Sequence, residues 1–140
     1  MALKAPEQVI RQALLDSSVV QALCGTRIYP VLAPSSTDLP FLVYRRASIG
    51  TVRTQALAGA VGGKSVNLEF TLYAQTYEAV RELAYEVNKV LDGWSGNFNN
   101  VSVGEVRLTE ETDDFVVLSG GDLPPVYQVT QTYNVIWIDE

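Results

Sequence analysis

Residues Ser65–Ala74 read SVNLEFTLYA. Val66, Leu68, Phe70 and Leu72 occupy alternate positions, with Asn67, Glu69, Thr71 and Tyr73 between them. Successive side chains of a strand point to opposite faces, so this spacing predicts a strand with one apolar and one polar face. Such a strand suits an antiparallel sheet covered on one side only.

That reading decides the meaning of the preceding residues. Ala58–Ser65, AGAVGGKS, matches the phosphate loop G-x-x-x-x-G-K-[ST] once its first glycine is relaxed to alanine. A phosphate loop works because its amides open into the first turn of a helix, whose dipole and free N–H groups hold the anion. Lys64 here precedes a strand. The terminal VIWIDE resembles the strand that carries a magnesium-binding aspartate in nucleotide hydrolases, but Asp139 is followed by one residue only. The expectation is a flexible hairpin tip in which Gly59, Gly62 and Gly63 ease the chain, Leu57 and Val61 offer apolar contact, and Lys64 keeps the strand edge soluble. A P-loop nucleotide hydrolase is kept as the alternative.

Upstream, FLVYRRASIGTV is rich in strand formers, with Phe41-Val43-Arg45-Ala47-Ile49 on one face and Leu42-Tyr44-Arg46-Ser48 on the other. The two strands are expected to form a hairpin. Its connection, from Thr51 to Lys64, is long, and long connections in compact domains tend to be functional or mobile. Before it, Pro6 suits the first position of a helix carrying Val9, Ile10, Ala13 and Leu14 on one face. Ser17 or Ser18 caps a short second turn bearing Val19, Ala22 and Leu23, and Gly25 ends it. RIYP is a brief extended piece, and LAPSSTDLP a proline-fenced loop.

Downstream, Thr76 caps the main helix, and Glu78 sits in its first turn, where the dipole favours an anion. Tyr77, Val80, Leu83, Ala84, Val87, Val90 and Leu91 form a stripe at helical spacing, read as core. NVSVGEVRL, DFVVL and VYQVTQTYNVIWI supply further strands. Gln131 interrupts the apolar face of the last, as a bulge, a satisfied polar group or an interface position. Glu110, Glu111, Asp113 and Asp114 are read as a solvated acidic loop. Helix, strand, strand, helix and then strands is an α+β order. The expected fold is one domain, 1–140, with a largely antiparallel sheet, two helices packed on one face and a long flexible hairpin loop.

Composition narrows function. The chain has 140 residues, and its 47% hydrophobic content argues against wholesale disorder. It has no histidine, which removes the usual general base, the usual zinc ligand and every Ser-His or Cys-His pair. Cys24, in the run VVQALC, reads as a small buried hydrophobe. Neither a membrane-length apolar run nor a secretion signal is evident, so synthesis in a host cytoplasm without membrane contact is the expectation. A net charge of −6 disfavours gripping nucleic acid but suits a surface that DNA slides past. No cofactor or metal is expected.

ALLDSSVVQALCGTRIYP with the proline-fenced loop and LPFLVY, then LEFTLYAQTYEAVRELAYEVNKVLDGW and YNVIW, resembles the tail completion proteins of long-tailed bacteriophages. These are also called tail terminator or head-tail joining proteins. The order and spacing of the segments carry the resemblance across nearly the whole chain. It implies a structural virion protein without catalysis. Its subunits would close into rings, typically hexamers, at the head-proximal end of the tail. The ring would cap the tail tube, meet a head completion or connector protein, and pass DNA through its lumen. Another small tail or head-closure protein, such as a tube subunit or connector ring, is the neighbouring alternative. From the residues themselves, the candidate subunit contacts are Arg45, Arg46, Arg53, Leu57, Val61 and Lys64, with Trp94 and Phe98 after the main helix.

Overall fold

The computed structural model describes residues 6–31, 39–51, 64–98, 101–116 and 126–139. Helices α1 (Pro6–Asp16) and α2 (Ser18–Cys24) lead into strands β1 (Ile28–Pro30), β2 (Phe41–Thr51) and β3 (Lys64–Ala74). Helix α3 (Tyr77–Leu91) follows, then β4 (Gly96–Phe98), β5 (Val101–Val116) and β6 (Val126–Asp139). The strands form one sheet in the order β1-β2-β3-β6-β5-β4. Four of its five pairings are antiparallel; β1 runs parallel to β2. The fold is α+β, with a mixed sheet and three helices in place of the expected two. The long hairpin connection lies outside the described residues.

Local chemistry sets the helix ends. The Ser17 hydroxyl accepts from the Val20 N–H at 3.3 Å, and the Thr76 hydroxyl from the Ala79 N–H at 3.1 Å. Each satisfies an amide that has no partner within its helix. Gly25 closes α2 at φ 62°, a left-handed conformation that an L side chain resists. After α3, Asp92 and Gly93 are tied to β5. Gly93 N–H donates to the Val106 carbonyl at 2.7 Å, and Leu108 N–H to Asp92 Oδ1 at 3.0 Å.

Strand β3 sits near the middle of the sheet, and Val66, Leu68, Phe70, Leu72 and Ala74 are all buried on its helix-covered face. Val129, Tyr133, Val135 and Trp137 of β6 join them. From above, α1 contributes Val9, Ile10 and Leu14, and α3 contributes Val80, Leu83, Ala84, Val87 and Leu91. Each such large side chain removed from water stabilises the fold by about 1.5–3 kcal/mol. Tyr77, assigned to the same stripe, is exposed instead, because its hydroxyl donates to Asp113 at 2.9 Å. In α2 the inward residues are Val20 and Cys24, whereas Val19 and Ala22 face water. Burial pushes the Cys24 thiol above its usual range, consistent with a packing role.

The main departure from the sequence reading is β5. NVSVGEVRL and DFVVL contribute to one continuous strand, and Glu110, Glu111, Asp113 and Asp114 stand inside it rather than in a loop. Its register shifts twice, between Val103 and Glu105 and between Leu108 and Glu110. Each extra residue inverts the alternation. Val101 and Val103, then Val106 and Leu108, then Glu111 and Asp113 therefore share the helix-covered face. The Thr109 hydroxyl donates to the Thr132 carbonyl at 3.0 Å at the second shift. A third shift, between Arg46 and Ser48 of β2, brings Ile49 opposite Val66 and breaks the expected grouping of Ile49 with Phe41, Val43 and Arg45.

Among the described residues, Gln131 is the one fully buried side chain that is not hydrophobic, and it is hydrogen-bonded. Its Nε2 donates to the Ala84 carbonyl at 3.0 Å and to Glu111 Oε1 at 3.1 Å; its Oε1 accepts from the Tyr133 hydroxyl at 2.9 Å. One amide thus ties α3 and β5 to β6. Burial, and to a smaller degree Glu111 and Asp92, push the Tyr133 phenol far above its usual range.

Two stability predictions follow from this core. Leu83→Ala lowers the unfolding free energy by about 2–5 kcal/mol through a cavity. Gln131→Ala lowers it by about 1–3 kcal/mol, because the Tyr133 hydroxyl loses its nearest acceptor. Urea titration reads both. The pH dependence has a definite sign. Unfolded tyrosine loses its proton near pH ~10, whereas folded Tyr133 keeps it, so this group's stabilising contribution is complete below that pH and is lost above it. Tyr133→Phe should flatten the alkaline fall in unfolding free energy, measured by denaturant titration at stepped pH.

Candidate subunit interface

A sheet buried on one face leaves its other face and its edges to be satisfied from outside. The uncovered face is mixed: Phe41 stacks on Tyr73 there, Val43 and Ile136 share it, and the rest is largely polar. Asn134 Nδ2 donates to Ser65 Oγ at 2.9 Å and to Asn67 Oδ1 at 3.0 Å across the β3–β6 pair. The register adds Thr71, Thr130 and Thr132, with Glu105, Glu110, Thr112 and Asp114 from β5. Glu69 pairs there with Arg45, Nε to Oε1 3.0 Å.

The edges are partly covered. Strand β1 pairs with β2 only from Leu42 to Tyr44. Leu42 N–H donates to the Arg27 carbonyl at 3.0 Å, and the Tyr44 carbonyl accepts from Val31 N–H at 2.8 Å. Val31 then stops β1: it stands at φ 62°, an outlying conformation for a β-branched residue, and is 70% exposed. Beyond Tyr44, no described strand lies beside β2, so Arg45–Thr51 is an open edge among the described residues. At the other side, β4 covers β5 only from Val101 to Val103, and Asp92 and Gly93 reach Leu108 and Val106. From Glu110 to Val116 no described strand flanks β5 on its outer side.

The two open stretches carry opposite charge. Arg45 and Arg46 open the β2 stretch on opposite faces. Arg46 Nη2 pairs with Glu7 Oε1 of α1 at 2.6 Å. Glu7 Oε2 is buried without a hydrogen-bond donor among the described residues, and a depression of ≈ 550 Å³ bounded by Glu7, Pro30, Val31, Arg45 and Arg46 adjoins it. On the β5 stretch, Arg81 of α3 reaches Glu111 Oε1 at 3.2 Å and Asp113 Oδ1 at 3.0 Å. One arginine therefore faces two of the four carboxylates. The hydrogen bond to Asp113, ahead of burial, raises the Tyr77 phenol.

The sequence-derived candidates separate on this frame. Arg45 and Arg46 come together at the β2 edge. Lys64 opens β3 as part of a strand, opposite Thr51 and Trp137, which removes the helical start that a phosphate loop requires. Arg53, Leu57 and Val61 lie outside the described residues, as do the side chains of Lys64 and Phe98. Trp94 is half-buried and packs against the core; a Cβ on Gly96 would lie 2.8 Å from its ring, so Gly96 makes room for it. The backbone of Phe98 pairs with Val101 in β4. Sequence reasoning missed the acidic edge. The apolar alternation of Val101 and Val103 resumes at Val106 and Leu108 after a one-residue skip at Gly104, but past Thr109 the inward positions are Glu111 and Asp113, which carry no such signal.

Among the described residues there is no cluster of three or more His, Cys, Asp or Glu side chains able to hold a metal, and no helix long and apolar enough to cross a membrane. The family described as "Tail completion protein gp17" matches residues 8–134. No curated protein matches the chain by sequence. Among solved structures, a chain described as "Virion of native gene transfer agent (GTA) particle" has the same fold, with a TM-score of 0.72 at 12% identity, over 91% of this chain and 90% of that one. The chain belongs to the family of tail completion protein gp17, a structural protein of phage tails.

Proposed function

We propose that this protein is a tail terminator subunit that closes into a ring, caps the tail tube at its head-proximal end and meets a head completion or connector protein above it. The observation that carries the reading is a sheet with helices on one face and open, oppositely charged edges, in a chain of the tail completion family. A ring needs a heterologous interface: two different surfaces of one subunit that fit each other and whose rotation closes. Two distinct edges supply such surfaces. A hexamer is the ring order we assign.

The uncovered face supports a place for DNA. Its described charges are Glu69, Glu105, Glu110 and Asp114 against Arg45 and Arg107. A surplus of carboxylates repels phosphates and favours passage of a duplex without adhesion. The role is structural and needs no cofactor. Arg53, Leu57, Val61 and Lys64 in the hairpin segment and Phe98 at β4 are assigned to contacts with neighbouring subunits or the tube, with Trp94 supporting β4 from beneath.

Native mass spectrometry and electron microscopy of the purified chain, alone and with tail tubes, test this reading. The expected result is a closed ring of fixed copy number at one end of each tube, with no nucleotide binding that depends on Lys64. Indefinite tubes would assign the chain to the tube, and a monomer that ignores tubes would overturn the proposal.

A further inference from the structure

We infer that the ring is held together by sheet extension, in which the β2 edge Arg45–Thr51 of one copy pairs antiparallel with the β5 edge Glu110–Val116 of a second copy of this chain. The inference rests on the ring reading above and names its contact surfaces.

Polarity comes first. Strand β2 is antiparallel to β3, β3 to β6 and β6 to β5, so β2 and β5 of one copy run in opposite directions. Copies related by a head-to-tail rotation keep those directions. The β2 edge of one copy then meets the β5 edge of the next as an antiparallel pair, and the sheet continues without a reversal. Both helix-covered faces stay on the same side.

Backbone groups come second. Leu42 N–H and the Tyr44 carbonyl point away from β3, toward β1. Arg46, next in that series, turns its N–H and carbonyl the same way, where no described strand receives them. On β5, the Val106 carbonyl and Leu108 N–H point outward to Gly93 and Asp92. Past the shift at Thr109 the outward series continues with Glu111 and Asp113. Open edges of this kind are templates for a further strand. The two stretches match in length, and β1 and the Asp92–Gly93 turn bound the overlap at its ends.

Charge comes third. Arg46 shares the helix-covered face with Asp113, and Arg45 shares the uncovered face with Asp114, as the register to Leu68, Val129, Glu69 and Gln128 shows. In the antiparallel pairing each arginine meets its aspartate directly across or one diagonal step along, a span that an arginine side chain covers. The guanidinium of Arg46 still has donors beyond those used on Glu7. The opposite pairing, β5 against β5, sets carboxylates against carboxylates and is disfavoured. Because the open stretches lie at opposite ends of the sheet, neighbouring copies are displaced along the strands, and the strands cross the ring at a tilt, as closed sheets require.

The test mixes chains carrying Arg45→Cys with chains carrying Asp114→Cys and treats them with a short bis-maleimide that spans the direct and the diagonal pairing. Cys24 is buried and does not compete. The mixture should yield a cross-linked pair about tenfold more abundant than either variant alone, as a heterologous contact demands. In parallel, Arg45→Asp or Asp114→Arg should lower ring yield at least about tenfold, and the double swap should restore it. Thermal melts of each variant confirm folding, since Arg45 holds only an exposed ion pair. Rings that form normally without the 45–114 cross-link would overturn the edge pairing and leave the ring standing. Links that appear within each variant alone would replace it with a two-fold contact. A chain that neither cross-links nor forms rings, with or without tail tubes, would overturn both readings.

Discussion

The alternation of Val66, Leu68, Phe70 and Leu72 against Asn67, Glu69, Thr71 and Tyr73 is the constraint on which the rest of the molecule depends. Because a strand side chain has a period of two, this pattern dictates which side of β3 the helices cover and fixes its register against β2 and β6. A slip of one residue would set Glu69 beneath α3. Neighbouring strands present their buried core residues to the same side, while Phe41, Val43 and Ile136 fall on the other. Strand β6 does so with Gln131 among its inward residues, and β5 does so from Val101 to Leu108 by skipping a residue at Gly104; its second skip turns Glu111 and Asp113 inward. The price is a sheet whose second face and outer edges have no cover among the described residues.

How much of this was legible in the sequence depends on whether the period survived. In β3, β6 and α3 the period survives, and burial follows it, with polar Gln131 buried in phase in β6 and Tyr77 left exposed at the start of α3. The caps at Ser17 and Thr76 and the stop at Gly25 were readable because each meets a specific backbone need. Strand β5 was hidden by its two register shifts and by the poor strand propensity of its acids. The carboxylates stay in the strand because tertiary partners hold them: Gln131 and Arg81 take Glu111, and Arg81 and Tyr77 take Asp113. The parallel pairing of β1 was illegible, since a three-residue strand carries no period. Of the candidate contacts, Arg45 and Arg46 could be named from sequence, but their joint place on an open edge, with Glu7 beneath, required the fold.

The glycine loop shows the same dependence. Its match to a phosphate-binding signature rests on residue identity, while the chemistry rests on a helix start that Lys64 does not have.

The most direct measurement of the account is amide hydrogen exchange on the free chain and on the assembled ring. The account predicts rapid exchange at Arg46 and its outward neighbours on β2, and at Glu111 and Asp113 on β5, in the free chain, with strong protection of both sets on assembly while β3 changes little. Edge amides that are as protected as β3 in the free chain, or that remain unprotected within the ring, would contradict it.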